Sequence, residues 1–250
     1  MSAQAAFTDL ARGGGRGALV TVLDGPAAGA KMLVATDGER TGSLGDPVID
    51  EEAARHAEEL MWAERSERRG DLFVDVTFPP PRLIVCGAVD FAAALCGMAR
   101  AAGWRPFVVD PRARFAQPAR FPAAEEVVAA WPEEAFARLG GIDRATAIAV
   151  LTHDPKLDDA ALVLALRSDA GYIGAMGSRR AQAKRRERLL AKGIEEADLE
   201  RISAPIGLDL GALTAEETAL SIMGEIVATR HGRTGGRLAQ TKGRIHEVGV

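Results

Sequence analysis

Four short stretches carry residue types that suit anion or cofactor chemistry. The richest is Gly174-Ala175-Met176-Gly177-Ser178-Arg179-Arg180, which takes the chain from an apolar run through two glycines into a helical pattern. Gly174 and Gly177 read as tight turns that expose backbone N–H groups. Ser178 reads as the helix cap. Arg179 and Arg180 then add positive charge where the helix dipole is already positive, an arrangement that an anion such as a phosphate would reverse from unfavourable to favourable. The alternative reading is a solvated basic helix face, because the run continues through Lys184, Arg185, Arg186 and Arg188.

The second stretch is Thr152-His153-Asp154-Pro155. His153 suits acid–base work or hydrogen-bond donation, and the alternative is a polar loop in which Asp154 caps the next helix. The third is Gly87-Ala88-Val89-Asp90, followed 23 residues after Gly87 by Asp110-Pro111-Arg112. In a dinucleotide fold the first is the glycine-rich turn that meets a pyrophosphate, and the acid binds ribose hydroxyls. Only Gly87 survives of that glycine pattern; Val89 adds bulk and Asp90 negative charge beside the anion position. Asp110 and Arg112 therefore read either as cofactor ligands or as a loop cap. The fourth stretch, residues 204–211, holds Gly207 and Asp209 in a loop that either lines a pocket or makes a turn.

The elements that must position these residues follow from periodicity. Strands are expected at 19–23, 31–35 and 71–78, and a helix over 48–69. Pro79-Pro80-Pro81 suits neither a helix interior nor a central strand and marks a domain boundary. Beyond it strands at 83–86, 106–109, 145–151 and 171–173 alternate with helices at 91–102, 133–139, 157–167, 178–192 and 214–230. The last is opened by a capping box of Thr214 and Glu217. Such alternation implies an α/β fold with a parallel sheet covered on both faces. The expected domains are 1–80, a small α+β domain; 81–231, a Rossmann-like domain; and 232–250, a Gly-rich basic tail.

With 250 residues, 47% hydrophobic and 26% charged, the chain is of globular composition and long enough for one large domain or two modest ones. A net charge of −4 argues against a whole-surface nucleic-acid binder. Cys86 and Cys96 match no metal or redox spacing and read as core residues. No stretch approaches a membrane span and no leader pattern opens the chain, so a cytoplasmic protein is expected.

Taken in order, the Thr-His-Asp-Pro stretch, Tyr172-Ile173-Gly174-Ala175-Met176-Gly177-Ser178-Arg179-Arg180, Pro205-Ile206-Gly207-Leu208-Asp209-Leu210-Gly211 and the capped helix from Thr214 closely resemble the XdhC/CoxI family. Weaker echoes are Gly29-Ala30-Lys31-Met32, Asp37-Gly38, Gly42-Ser43 and, in the tail, Gly243-Arg244-Ile245-His246. That family comprises maturation factors of xanthine and carbon-monoxide dehydrogenases. The resemblance implies a small N-terminal domain and a Rossmann-like domain. It further implies binding of the molybdenum cofactor, as molybdopterin or its dinucleotide, and delivery to a molybdoenzyme of the xanthine dehydrogenase type. Gly87, Asp110, Arg112, His153, Asp154, Gly174, Gly177, Ser178, Arg179, Arg180, Gly207 and Asp209 are the expected cofactor-binding residues.

Three departures stand out. The family's Gly-Ala-Gly-His-Val turn is Gly87-Ala88-Val89-Asp90-Phe91 here; a Pro-Arg pair before Gly29 is Ala27-Ala28; and the two glycines, cysteine and glutamate expected after Gly42-Ser43 are replaced by Leu44-Gly45-Asp46-Pro47-Val48. No nucleophile–base pair stands out, so a cofactor-binding chaperone is expected rather than an enzyme. The alternatives are an NAD(P)-linked oxidoreductase, with Asp110 on the ribose and His153 as proton donor, and an interaction scaffold that docks the basic helix on an acidic partner. The basic helix also makes a homodimer conceivable.

Overall fold

The computed structural model describes residues 1–241, which form most of two compact units, Met1–Pro79 and Pro80–Gln240. The familiar Gly243–His246 stretch lies outside the described residues.

The first unit contains α1 (Ala3–Arg12), β1 (Gly17–Val22), β2 (Lys31–Ala35), β3 (Arg40–Ser43), α2 (Pro47–Ala63), β4 (Glu67–Arg69) and β5 (Leu72–Thr77). The strands pair antiparallel in the order β3-β2-β1-β5-β4. Side chains alternate across a strand, and both faces are used. Ala18, Val20, Met32 and Val34 meet Ala57, Leu60 and Met61 of α2, while Leu19 and Leu33 meet Ala6 and Phe7 of α1. The helix expected over 48–69 ends early: Glu64 adopts a left-handed conformation (φ 52°) and its N–H bonds the Leu60 carbonyl. The remaining residues turn into the edge strand β4. In the segment after Gly42-Ser43, Asp46 caps α2, accepting from the Val48 N–H at 2.7 Å, with Pro47 in the first turn.

The second unit runs β6 (Arg82–Cys86), α3 (Asp90–Ala101), β7 (Arg105–Val109), β8 (Glu126–Val128), α4 (Pro132–Leu139), β9 (Thr146–Val150), α5 (Pro155–Leu166), β10 (Tyr172–Ala175), α6 (Arg179–Ala191), α7 (Glu196–Leu199), β11 (Ile202–Ser203) and α8 (Ala215–Arg230). All six strands are parallel, in the order β11-β10-β9-β6-β7-β8. From β6 the chain winds outward to β7 and β8, then returns to β9 on the other side and winds out to β11. This is the doubly wound Rossmann order, with the direction switching between β6 and β9. Alternate strand residues face two helical layers. Leu83, Val85, Ala147 and Ala149 pack under α3 and α8; Ile84, Cys86, Ile148 and Val150 pack under α4, α5 and α6. Just after α8 the Arg233 N–H turns back to the Ala228 carbonyl at 2.7 Å, and residues 232–240 are exposed. Among the described residues no helix is long and apolar enough to cross a membrane.

Candidate functional site

Ligands of doubly wound sheets bind outside the carboxyl ends of the strands, at the switch point. Here that crevice lies between the loops after β6 and β9, which approach each other closely. Gly87 has φ 116°, and a Cβ on it would lie 2.4 Å from Thr152 Cγ2. Glycine is required at 87 because the β9 loop closes on its backbone. The Ala88 N–H donates to Asp110 Oδ2 (2.8 Å), and the Ala88 carbonyl accepts from Arg120 Nη1 (3.0 Å), whose Nη2 also holds Asp90 (2.9 Å). The Ala88 backbone is thus engaged on both its N–H and its carbonyl within the protein.

Asp110 is fully buried, and each carboxylate oxygen accepts two bonds. Oδ1 takes the Arg112 N–H and Nε (2.9 and 2.8 Å); Oδ2 takes Arg112 Nη2 (2.7 Å) and the Ala88 N–H. Burial opposes ionisation of Asp110, but these hydrogen bonds outweigh it and hold its carboxyl below the usual range. Arg112 also stacks on Phe115 at 4.8 Å and feels the negative charge of Asp154 across the crevice. Asp154 caps α5, accepting from the Lys156 N–H at 3.0 Å. His153 beside it is exposed, with no hydrogen bond or ion pair among the described residues.

One strand further out, at the end of β10, the chain turns through Met176-Gly177-Ser178 into α6. Ser178 caps the helix, accepting from the Ala181 N–H at 3.3 Å. The first N–H groups of a helix have no intrahelical partner, and Arg179 and Arg180 stand exposed beside them with no acidic partner among the described residues. The basic run beyond is not a uniformly solvated face. Arg185 pairs with Asp158 (3.0 Å), Arg188 with Asp159 (2.9 Å) and Arg186 with Glu196. The cations of α6 without an acidic partner among the described residues are Arg179 and Arg180 in its first turn and Lys184 one turn further on.

Asp158 and Arg185 are 3% and 5% exposed. Asp158 also accepts from Thr152 Oγ1, and Arg185 donates to the Met176 carbonyl (2.9 Å) and to Gln182, whose amide in turn holds the Gly177 carbonyl (3.2 Å). Desolvation pushes the Asp158 carboxyl up, against the pull of Thr152 and Arg185. This buried relay ties the β9 loop to the β10 turn and fixes the entry to α6.

Gly174, expected in the turn, lies inside β10. Its missing side chain admits Ile206, whose Cδ1 would be 2.4 Å from a Cβ there. Gly207 has φ 103° and would place a Cβ 2.5 Å from Ser221 Oγ. Its N–H donates to Glu225 Oε2 (2.7 Å), which also receives the buried Tyr172 hydroxyl. Burial, then Glu225, drives the Tyr172 phenol upward. Asp209 is exposed on the same loop without a hydrogen bond among the described residues. All the expected residues thus lie along the carboxyl edge except Gly174, one position inside it. The Thr152–Asp158–Arg185–Gln182 relay and the Tyr172–Glu225 clamp escaped sequence reasoning. The available signal was Asp158 and Asp159 one helical turn after the Asp154 cap.

A doubly wound sheet whose switch-point loops bind each other through Gly87, Ala88 and Asp110, with cations that have no acidic partner among the described residues at the next strand's helix, defines a Rossmann-type domain whose first turn differs from that of a dinucleotide binder. Residues 83–226 match the XdhC Rossmann domain, and residues 10–71 match the XdhC and CoxI family. The chain belongs to the XdhC/CoxI family.

It is 30% identical over 160 residues to a probable xanthine dehydrogenase subunit of Bacillus subtilis (strain 168), and the match covers 64% of this chain and 46% of that protein. It is 28% identical over 152 residues to the molybdenum cofactor insertion chaperone PaoD of Escherichia coli (strain K12), covering 61% and 41% respectively. The chain spans less than half the length of these relatives. A crystal structure of a xanthine dehydrogenase from Bacillus halodurans shares the fold, with a TM-score of 0.60 at 22% identity over 93% of this chain and 64% of that one.

Proposed function

We propose that this protein is a maturation factor that binds the molybdenum cofactor by its phosphate at the start of α6 and hands it, in the cytoplasm, to a molybdoenzyme of the xanthine dehydrogenase type. The observation that carries the reading is the uneven pairing along α6: Arg185, Arg186 and Arg188 have acids, whereas Arg179, Arg180 and Lys184 have none among the described residues. Two guanidinium groups beside free helix N–H groups suit a phosphate oxyanion, through charge-assisted hydrogen bonds. Family membership supports the same ligand, as does the likeness to PaoD, a molybdenum cofactor insertion chaperone.

The residues fit the group at its phosphate end. Arg179, Arg180 and the backbone after Gly177 would hold it, while His153, Asp154, Gly207 and Asp209 lie on neighbouring loops of the same carboxyl edge. When bound, the cofactor supplies a pterin dithiolene that carries molybdenum. This chain's part is to hold the phosphate and keep the turn rigid through Arg185. A nicotinamide dinucleotide fits less well, because Asp110 is already saturated by Arg112 and Ala88.

The test is calorimetric titration of the full chain with molybdopterin, with inorganic phosphate as competitor. Arg179→Glu with Arg180→Glu should abolish binding at unchanged thermal stability. Undiminished affinity in that variant refutes the assignment.

A further inference from the structure

Between α6 and the segment that forms α7 and β11 is a cavity of about 210 Å³. Its apolar walls are Leu189 of α6, Leu199 of α7, Ile202 of β11 and Ala204 just beyond. Leu189 and Leu199 are buried, Ile202 and Ala204 half-buried. Pockets for drug-sized molecules run to roughly 300–1,000 Å³, so this one takes a single ring system and not a dinucleotide.

One polar group in the lining lacks a partner. Arg185 gives Nη1 to Gln182 and Nη2 to Asp158 and the Met176 carbonyl, but its Nε is buried and bonds no acceptor among the described residues. Buried donors are nearly always satisfied in folded proteins. An orphan in the wall of a cavity points to a ligand that brings the acceptor, such as a carbonyl oxygen or a ring nitrogen.

Helix geometry ties this cavity to the cations at the start of α6. Residues at i, i+4 and i+7 share one face. Arg179 therefore heads the face that carries Ala183 and Arg186, both in the cavity lining, whereas Arg180 and Lys184 lie round the helix from it. From Arg179 to Arg186 is about 10 Å along the axis, at a rise of roughly 1.5 Å per residue. At the far end Arg186 pairs with Glu196 of α7. The face thus offers, in order, a guanidinium without an acidic partner, a short apolar trough with a buried donor, and a closing ion pair.

We infer that this cavity is the ring subsite of the ligand whose phosphate sits at Arg179. The ligand class is a flat, hydrogen-bonding heterocycle on a short phosphorylated side chain, with its ring between α6 and β11 and an acceptor atom on Arg185. The inference rests on the phosphate reading above and gives it a direction: the ring points towards α7 and away from the switch-point loops. In the molybdenum cofactor that ring is the pterin.

Calorimetric titration of the full chain with molybdopterin and, separately, with inorganic phosphate tests this. Ala183 is exposed on α6, so Ala183→Phe crowds the cavity without disturbing the core; Ile202→Trp fills it from the opposite wall. Each should weaken molybdopterin binding by about tenfold or more, with phosphate affinity and Tm unchanged, and Ala183→Ser should keep both affinities. If Ile202→Trp melts early, Ala183→Phe carries the test alone. Undiminished molybdopterin affinity in the filled variants, when Arg179→Glu with Arg180→Glu abolishes it, overturns the ring subsite and leaves the phosphate site standing. Equal losses of molybdopterin and phosphate overturn it as well, because the effect then lies at the helix start. Undiminished binding in the charge-reversed protein removes the phosphate anchor and both readings with it.

Discussion

Replacing Arg185 with Met isolates what the buried relay does. The change keeps side-chain length but removes the guanidinium. Asp158, 3% exposed, keeps only Thr152 as a donor, and the Met176 carbonyl and Gln182 lose theirs. Breaking one side of a buried pair costs about 3–5 kcal/mol, because the remaining charge has no compensation. For a domain of this size each kcal/mol lowers Tm by about 2–4 °C, so the drop should be roughly 6–20 °C. The deficit has a pH signature. Without Arg185 the already raised Asp158 carboxyl rises further, so its folded form is favoured when protonated and the deficit shrinks as pH falls towards the new value. The assay is thermal unfolding by calorimetry for Arg185→Met, Asp158→Asn and the double variant, across a pH series. The double variant should recover much of the loss. A single substitution costing less than about 1 kcal/mol, as a surface pair would, with no recovery in the double, refutes the view that this pair pins the β9 and β10 loops together.

Three other outcomes are expected. Gly207→Ala forces a side chain into positive φ and against Ser221 Oγ, which itself holds the Leu208 carbonyl at 2.6 Å; a loss of about 1–3 kcal/mol and faster proteolysis within residues 204–211 should follow, and a fully stable, resistant variant contradicts the clamp. Asp110 has a depressed carboxyl, so its stabilisation is full above the ordinary carboxylate value of about 4 and is lost as pH falls through the folded value. The Tm gap between wild type and Asp110→Asn should therefore close on acidification, and a gap constant with pH would show that Arg112 does not depend on that charge. Burial pushes the Cys86 thiol upward and that of Cys96 to about 12, so neither should react with an alkylating reagent at neutral pH until the chain is unfolded; prompt native labelling would disprove it.

The strongest parts of the fold were readable because period and punctuation agreed. The 83–86 run into Gly87, the Asp154-Pro155 helix start and the Thr214–Glu217 capping box each state an element and its boundary in local chemistry. The elements that escaped are those whose cause lies elsewhere in space. β11 is two residues long and exists because β10 pairs with it. β4 reads as the tail of a helix until Glu64 takes a left-handed turn. The site was legible as a set of loops but not as a set of bonds. Gly174 signals a turn in sequence, whereas its real constraint is Ile206, more than thirty positions away. Arg185 looks like one more charge on a basic face, and only packing against α5 shows it to be buried. Asp110 sits where a ribose ligand would, but its partners Arg112 and Ala88 take up its acceptor capacity.

The outermost strands carry a consequence of their own. A sheet edge is a row of free backbone groups, an invitation to pair with any passing strand. In the second unit the borders, β8 and β11, are three and two residues long, too short to template such pairing. In the first, the borders are Arg40-Thr41-Gly42-Ser43 and Glu67-Arg68-Arg69, polar or charged along their length. The chain is thereby guarded against runaway strand addition at each of these borders. Exchanging Arg68 and Arg69 for valine should turn a well-behaved solution into one that forms thioflavin-positive aggregates on storage.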